Sequence, residues 1–206
     1  MSRKRVVIFI SGGGSNMEAL IAATQATDYP AEIVAVFSDK ADAGGLAKAQ
    51  AAGIATQVFT RKDYASKDAH EEAILAALSE IRPDIICLAG YMRLLSARFI
   101  TLYEGRILNI HPSLLPLFPG LNTHQRALDS GMKLAGCTVH LVTEAMDEGP
   151  ILAQAAVPVC SGDTSETLAA RVLKAEHSIY ARALRQFAAG EAPGNAAQQD
   201  AMIISL

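Results

Sequence analysis

A chain of 206 residues, 50% hydrophobic and 19% charged, is too apolar to be disordered, and its length lets it bury about 70% of its unfolded surface without staples. A formal net charge of −3, from 18 Lys and Arg against 21 Asp and Glu, lacks the dense basic stripe that nucleic acid requires, although a phosphorylated small molecule needs only a local patch. The three cysteines, Cys87, Cys137 and Cys160, are scattered without a C-x-x-C pair, which suits a reducing cytoplasm better than a disulfide or zinc framework. The basic start Met1-Ser2-Arg3-Lys4-Arg5 imitates a secretion signal. The apolar run behind it, Val6 to Ile10, falls short of the roughly 7–15 residues of a signal core and the roughly 20 of a membrane span. The expectation is a cytoplasmic protein with no membrane or nucleic-acid partner.

Arg5 to Ile10 is a continuous β-branched and aromatic run, the pattern of a strand buried on both faces. It breaks at Ser11-Gly12-Gly13-Gly14-Ser15-Asn16, and Met17 to Ala23 predicts a helix. Ile33 to Phe37 reads as a second strand, Gly45 to Ala52 as a helix, and Thr56 to Phe59 as a weak strand. Asp68 to Ile81 is helical, with Ala73, Ile74, Ala77, Leu78 and Ile81 on one face and Pro83 as its stop. Asp84 to Ala89 is another buried strand. This alternation predicts βαβ units on a mostly parallel sheet with helices on both faces. Arg106 to Ile110 is a strand, followed by a proline-rich stretch from His111 to Gly120, and Thr123 is placed as the cap of a helix through Leu128. Ala135 to Val142 and Ile151 to Val159 are joined closely enough to form an antiparallel pair. Ser165 to Ala189 is a long amphipathic helix. Residues 1–189 read as one domain, and 190–206 as a loosely anchored tail whose apolar end, Met202 to Leu206, has no explanation in the sequence.

A strand running into glycines and then into a helix is an anion site in physical terms: the glycines let backbone N–H groups approach, and the helix start supplies unpaired donors. The lysine of a P-loop is missing. For a dinucleotide fingerprint, Gly12 and Gly14 are in place, but Met17 stands where the third glycine belongs, and Asp39 lies well past the roughly 20 residues at which an acid is wanted. Dinucleotide binding becomes the weakest of three readings, behind a bare tight turn and a monophosphate site, and the monophosphate site is the expectation.

Asn109-Ile110-His111 puts an amide and an imidazole on one face at the C-terminal end of a strand, the edge where α/β sheets bind ligands. Asp147, in the connection between the last two strands, is placed to reach back toward them. A carboxylate beside an imidazole fixes its tautomer and favours its protonated form. The trio describes an oxyanion-binding acid site; no serine or cysteine sits in a nucleophile elbow and no cluster has metal-ligand spacing.

Ser11 to Asn16, Ala89-Gly-Tyr-Met-Arg-Leu-Leu95, Asn109 to Pro116, Pro119-Gly120 and Asp147-x-Gly-Pro150 follow one another in an order and spacing that resembles the phosphoribosylglycinamide formyltransferase family across about residues 5 to 187. The resemblance implies a Rossmann-like formyltransferase fold with a nucleotide-phosphate half and a folate half. The substrates it implies are 10-formyltetrahydrofolate, as co-substrate, and glycinamide ribonucleotide, with no metal. It implies catalytic roles for Asn109, His111 and Asp147, and ribonucleotide contacts from Gly14, Ser15, Asn16 and Glu176. It implies folate contacts from Lys67, Met92, Arg93, Leu94, Leu95, Asn109, His140, Thr143, Glu144, Ala145, Met146 and Asp147. A cis Leu115–Pro116 bond follows from the same likeness. Lysine stands at Lys67 where a relative has arginine, which keeps the charge and loses the bidentate fork, and Leu173 stands where relatives are polar. In the mechanism this implies, the amine attacks the formyl carbon while Asn109 and protonated His111 meet the formyl oxygen. Leu114 to Gly120 is expected to act as a lid against water. A hydrolase of the same folate and a non-catalytic nucleotide-binding module are the competing functions, and a monomer or weak homodimer is the expected state. His70, His124 and His177 read as surface or packing residues.

Overall fold

The computed structural model describes residues 2–190 and the backbone of Met202 and Ile203. The chain divides into two compact units, Met1–Leu108 and Asn109–Leu206. The first contains strands β1 (Lys4–Ile10), β2 (Ala31–Ser38), β3 (Ala55–Val58) and β4 (Ile85–Leu88), in the order β3-β2-β1-β4. All its pairings are parallel, as the alternation of apolar runs and helices predicts. Val6 to Ile10 are fully buried, which is why an uninterrupted apolar run was required there. An aromatic cluster fills this core: Phe9 stacks on Phe37 at 5.5 Å and meets Tyr91 and Phe99 edge-on, and Phe37 reaches Phe59 at 5.0 Å.

Helices α1 (Ser15–Thr24), α2 (Gly44–Ala51), α3 (Lys67–Ile81) and α4 (Ala97–Leu102) complete this unit. α3 starts on Ser66, whose side chain accepts from Ala69 N–H, and stops at Arg82 in the left-handed region just before Pro83. Its buried face is rotated from the expected one and takes in His70 and Glu71 in place of Ala73 and Ala77. Both polar groups are satisfied: His70 Nε2 lies 2.7 Å from Phe59 O, and Glu71 accepts from Ser96 N–H at 2.8 Å.

The second unit holds β5 (Ile107–His111, its first two residues in the other unit), α5 (Thr123–Asp129), β6 (Leu134–Leu141), β7 (Ile151–Pro158), α6 (Ser165–Ala188) and β8 (Met202–Ile203), in strand order β5-β6-β7-β8. β6 and β7 are antiparallel, as expected, and β8 runs parallel to β7. That pairing gives Met202 and Ile203 a structural place; the rest of the tail, 191–201 and 204–206, lies outside the described residues. Thr123 is the first residue of α5 and does not cap it; the cap position belongs to Asn122 in the left-handed region. α6 begins with a reciprocal box between Thr164 and Thr167. Its stripe Leu168, Val172, Ala175, Ile179, Tyr180, Ala183 and Leu184 is buried against β6 and β7. Each Leu, Ile or Val buried there contributes about 1.5–3 kcal/mol. Among the described residues no helix is long and apolar enough to cross a membrane.

Candidate active site

β5 delivers Asn109 and His111 to one face, and β6 delivers Thr138 and His140 by the same period-two alternation. His140 is 2% exposed, and its Nδ1 lies 3.0 Å from Leu141 O. A carbonyl only accepts, so Nδ1 carries the proton and Nε2 keeps its lone pair. Asn109 Nδ2 stands 3.2 Å from that Nε2 and donates to it. The histidine therefore decides which end of the Asn109 amide faces it and leaves the second Nδ2–H for another acceptor. Sequence reasoning placed His140 as pocket lining; its role as the acceptor that orients Asn109 depends on a tautomer that letters do not show.

His111 is buried beside the same group. Its Nε2–H donates to Phe118 O at 3.0 Å, and Nδ1 lies 3.5 Å from Asp147 Oδ2. Asp147 reaches it from the β6–β7 connection with a left-handed backbone (φ 58°). Its Oδ2 also accepts from Gly120 N–H at 2.8 Å, and its Oδ1 lies 3.7 Å from His140 Nε2. Asn109, His111, His140 and Asp147 thus form one polar cluster.

The stretch expected as a lid is stitched down. Leu115 N–H donates to Thr138 Oγ1, Leu115 O accepts from Gln154 Nε2, and Ser113 Oγ donates toward Leu117 O and Phe118 O. Thr138 Oγ1 donates on to Ser113 O at 2.7 Å. To lift, the stretch would have to break these bonds together with those from Phe118 and Gly120 to His111 and Asp147, so it is built as a fixed wall. Leu115–Pro116 is cis. Thr138 and Gln154 escaped sequence reasoning, although Thr138 shares the strand face of His140.

The β6–β7 turn tolerates no side chain at Gly149, where a Cβ would run into Leu141 O, which also accompanies the Leu141 N–H bond to Pro150 O. Gly149→Ala is expected to destabilise by about 1–3 kcal/mol or more by prising the turn from its strand. Thermal unfolding checks this, and an unchanged Tm would show the turn to be slack.

Burial, chiefly, holds His140 and His124 below the ordinary histidine range, the nearby His111 adding to the effect in both, while Leu141 O and Asp147 oppose it at His140. With folded values below the unfolded value of about 6.5, the unfolded chain takes up protons first as pH falls. The stability these neutral rings contribute is therefore complete above the unfolded value and is lost as pH drops from there toward the lowered folded values. Tm measured against pH should fall less steeply on the acid side in His124→Asn than in the parent; identical slopes would refute the assignment.

In the first unit, the glycine loop leads into α1 with Gly14 at the cap position (φ 72°). A Cβ on Gly14 would meet Gly45 Cα at 2.9 Å, and Gly45 N–H donates to Gly12 O at 3.0 Å. The start of α2 thus backs the loop, a partnership that two separated glycine clusters hinted at. Ser15 and Asn16 open α1, where N–H groups lack intrahelical acceptors. Met92 and Leu94 are 63% and 69% exposed, Leu95 is half-buried, and Arg93 pairs with Asp39 at 2.8 Å. Lys67 is exposed at the start of α3. In the second unit, Glu144, Ala145 and Met146 are exposed beside half-buried Thr143, and Glu176 is buried on α6 near Cys137, whose thiol is pushed up by burial first and Glu176 second.

The formyl transferase family matches residues 4–184. A crystal structure of phosphoribosylglycinamide formyltransferase from Brucella melitensis is 82% identical, with a TM-score of 0.89, covering 92% of this chain and 97% of that one. Phosphoribosylglycinamide formyltransferase of Escherichia coli (strain K12) is 45% identical over 185 residues, 90% of this chain and 87% of the relative. The trifunctional purine biosynthetic protein adenosine-3 of Bos taurus is 50% identical over 188 residues, 91% of this chain but 19% of that protein, so the chain spans about a fifth of this longer relative's length. The mostly parallel sheet with its antiparallel β6–β7 pair is the Rossmann-like fold of these neighbours. With nearly its whole length matched, and with a sheet of the same architecture, this chain belongs to the formyl transferase family.

Proposed function

We propose that this protein transfers the formyl group of 10-formyltetrahydrofolate to the primary amine of glycinamide ribonucleotide in purine biosynthesis. Family membership and the names of its relatives in Brucella melitensis and Escherichia coli support the reaction. The observation that carries the reading is the cluster in which His140 orients Asn109 while Asp147 faces His111.

The amine nitrogen attacks the formyl carbon, a new C–N bond forms, and the formyl oxygen becomes an alkoxide. No enzyme nucleophile is needed, since the amine is one already. The second Nδ2–H of Asn109 meets the alkoxide. His111 has committed Nε2–H to Phe118 O, so the proton it can offer is on Nδ1 and exists only in the imidazolium form. Asp147 faces that nitrogen and compensates the positive charge. As the intermediate collapses, the bond from carbon to N10 breaks, and the proton lost by the amine passes to N10, with Asp147 and a water as its carriers.

Gly14, Ser15 and Asn16 bind the ribonucleotide phosphate through the start of α1, and Glu176 takes the sugar hydroxyls. The family likeness assigns folate contacts to Lys67, to Met92, Arg93, Leu94 and Leu95, and to Asn109, His140 and Thr143 to Asp147. Cys87, Cys137 and Cys160 form no disulfide, which fits a reducing cytoplasm, and the working state is a monomer or weak homodimer.

The test is incubation of the purified protein with 10-formyltetrahydrofolate, with and without glycinamide ribonucleotide, following the absorbance of the folate. Change only with the nucleotide present is expected. Change without it would make the protein a hydrolase, and silence in both would leave a nucleotide-binding module.

A further inference from the structure

Two side chains at the ends of adjacent strands grip the segment that carries Met92 and Arg93. Ser11 follows β1 directly and is 4% exposed. Its N–H donates to Gly90 O at 3.1 Å, and its Oγ accepts from Met92 N–H at 2.8 Å. Asp39 follows β2 directly, and its side chain is 2% exposed. Its Oδ2 accepts from Arg93 Nε at 2.8 Å, while Oδ1 is buried with no hydrogen-bond partner among the described residues.

In dinucleotide-binding sheets an acid near the end of the second strand meets ribose hydroxyls. Here the acid in that position is buried under its own arginine, so a cofactor ribose has no access to it. Burying a carboxylate is costly unless it is paired, and the guanidinium supplies the pairing. The reverse effect matters more for function. A guanidinium is a rigid planar fork, so anchoring Nε to an immobile oxygen sets the plane of the Nη1 and Nη2 donors. The Arg93 side chain remains 40% exposed, so those donors can still reach a ligand. Ordering a long side chain before the ligand arrives removes an entropic cost from binding. Tyr91, packed edge-on against Phe9 at 5.2 Å, secures the backbone between Gly90 and Met92, the two points that Ser11 holds.

We propose that Asp39, assisted by Ser11, is a positioning residue for formyl-donor binding: it presets Arg93, so that the Nη donors are presented to an acceptor atom of the folate. This rests on the reading of Met92 to Leu95 as folate-binding residues. KM for 10-formyltetrahydrofolate and for glycinamide ribonucleotide, and kcat, are to be measured for the parent, Asp39→Ala and Asp39→Asn. Asp39→Ala is expected to raise the folate KM about tenfold or more, with kcat and the nucleotide KM within about twofold, because a charge-assisted bond to Arg93 is lost. Asp39→Asn keeps an oxygen for Nε and should restore most of the folate KM. Adding Asp39→Ala to Arg93→Ala should raise the folate KM no further. The NMR signal of the Arg93 Nε–H should be protected from exchange in the parent and in Asp39→Asn, and unprotected in Asp39→Ala. An unchanged folate KM in Asp39→Ala would overturn the positioning role. A parent protein that transfers no formyl group would overturn the functional reading instead, and the Arg93 Nε–H signal would still decide whether Asp39 holds the arginine.

Discussion

Replacing His111 with alanine is expected to lower kcat for formyl transfer by roughly 10²–10³, the usual cost of losing one donor to a developing oxyanion. The ring is buried, with Nε2 bonded to Phe118 O and Nδ1 facing Asp147, so its position is determined from two sides before substrate arrives. Alanine removes the imidazole and leaves Asp147 with its Gly120 bond but without the ring that it faces. Nucleotide affinity should survive, because the phosphate is assigned to Gly14, Ser15 and Asn16 on the other unit. The informative pair of measurements is single-turnover formyl transfer and calorimetric binding of glycinamide ribonucleotide. Turnover near that of the parent would remove His111 from the mechanism, and a parallel loss of nucleotide binding would recast it as structural.

Much of this arrangement was legible in the letters because it rests on short-range rules. Val6 to Ile10 can only be a strand buried on both faces, and the alternation across Asn109-Ile110-His111 puts the amide and imidazole together whatever lies around them. The α4 helix was not foreseen, because its run Ala-Arg-Phe-Ile-Thr-Leu is short and rich in β-branched and aromatic residues, and its one clear signal is the Ser96 cap accepting from Phe99 N–H. The rotation of α3 toward His70 and Glu71 was hidden because burial of polar residues depends on partners distant in sequence, Phe59 O and Ser96 N–H. Asp147 was recognised, yet its left-handed backbone and its bond to Gly120 N–H are tertiary facts. The wall made by Thr138 and Gln154 was invisible for the same reason: a threonine and a glutamine on apolar strands announce nothing until the loop they hold is seen.

Asp147→Asn is expected to be as damaging as loss of the histidine, roughly 10²–10⁴ in kcat, while leaving the fold intact. Asparagine is nearly isosteric, tolerates the left-handed conformation at this position better than most residues, and still offers an oxygen to Gly120 N–H. That oxygen is also the atom that faces His111 Nδ1, and as part of a neutral amide it no longer compensates an imidazolium. Since Nε2–H is already committed to Phe118 O, this favours a neutral ring with a lone pair on Nδ1, the form with no proton for the alkoxide. The enzyme would keep every atom in place and leave His111 in the wrong protonation state. In the proposed mechanism Asp147 both compensates His111 and helps carry the amine proton, so the double variant His111→Ala with Asp147→Asn should be worse than either single one, but by less than the product of the two losses. Thermal unfolding of all three proteins beside their single-turnover rates makes the comparison. Losses that multiply in full would mean that the imidazole does not depend on the carboxylate.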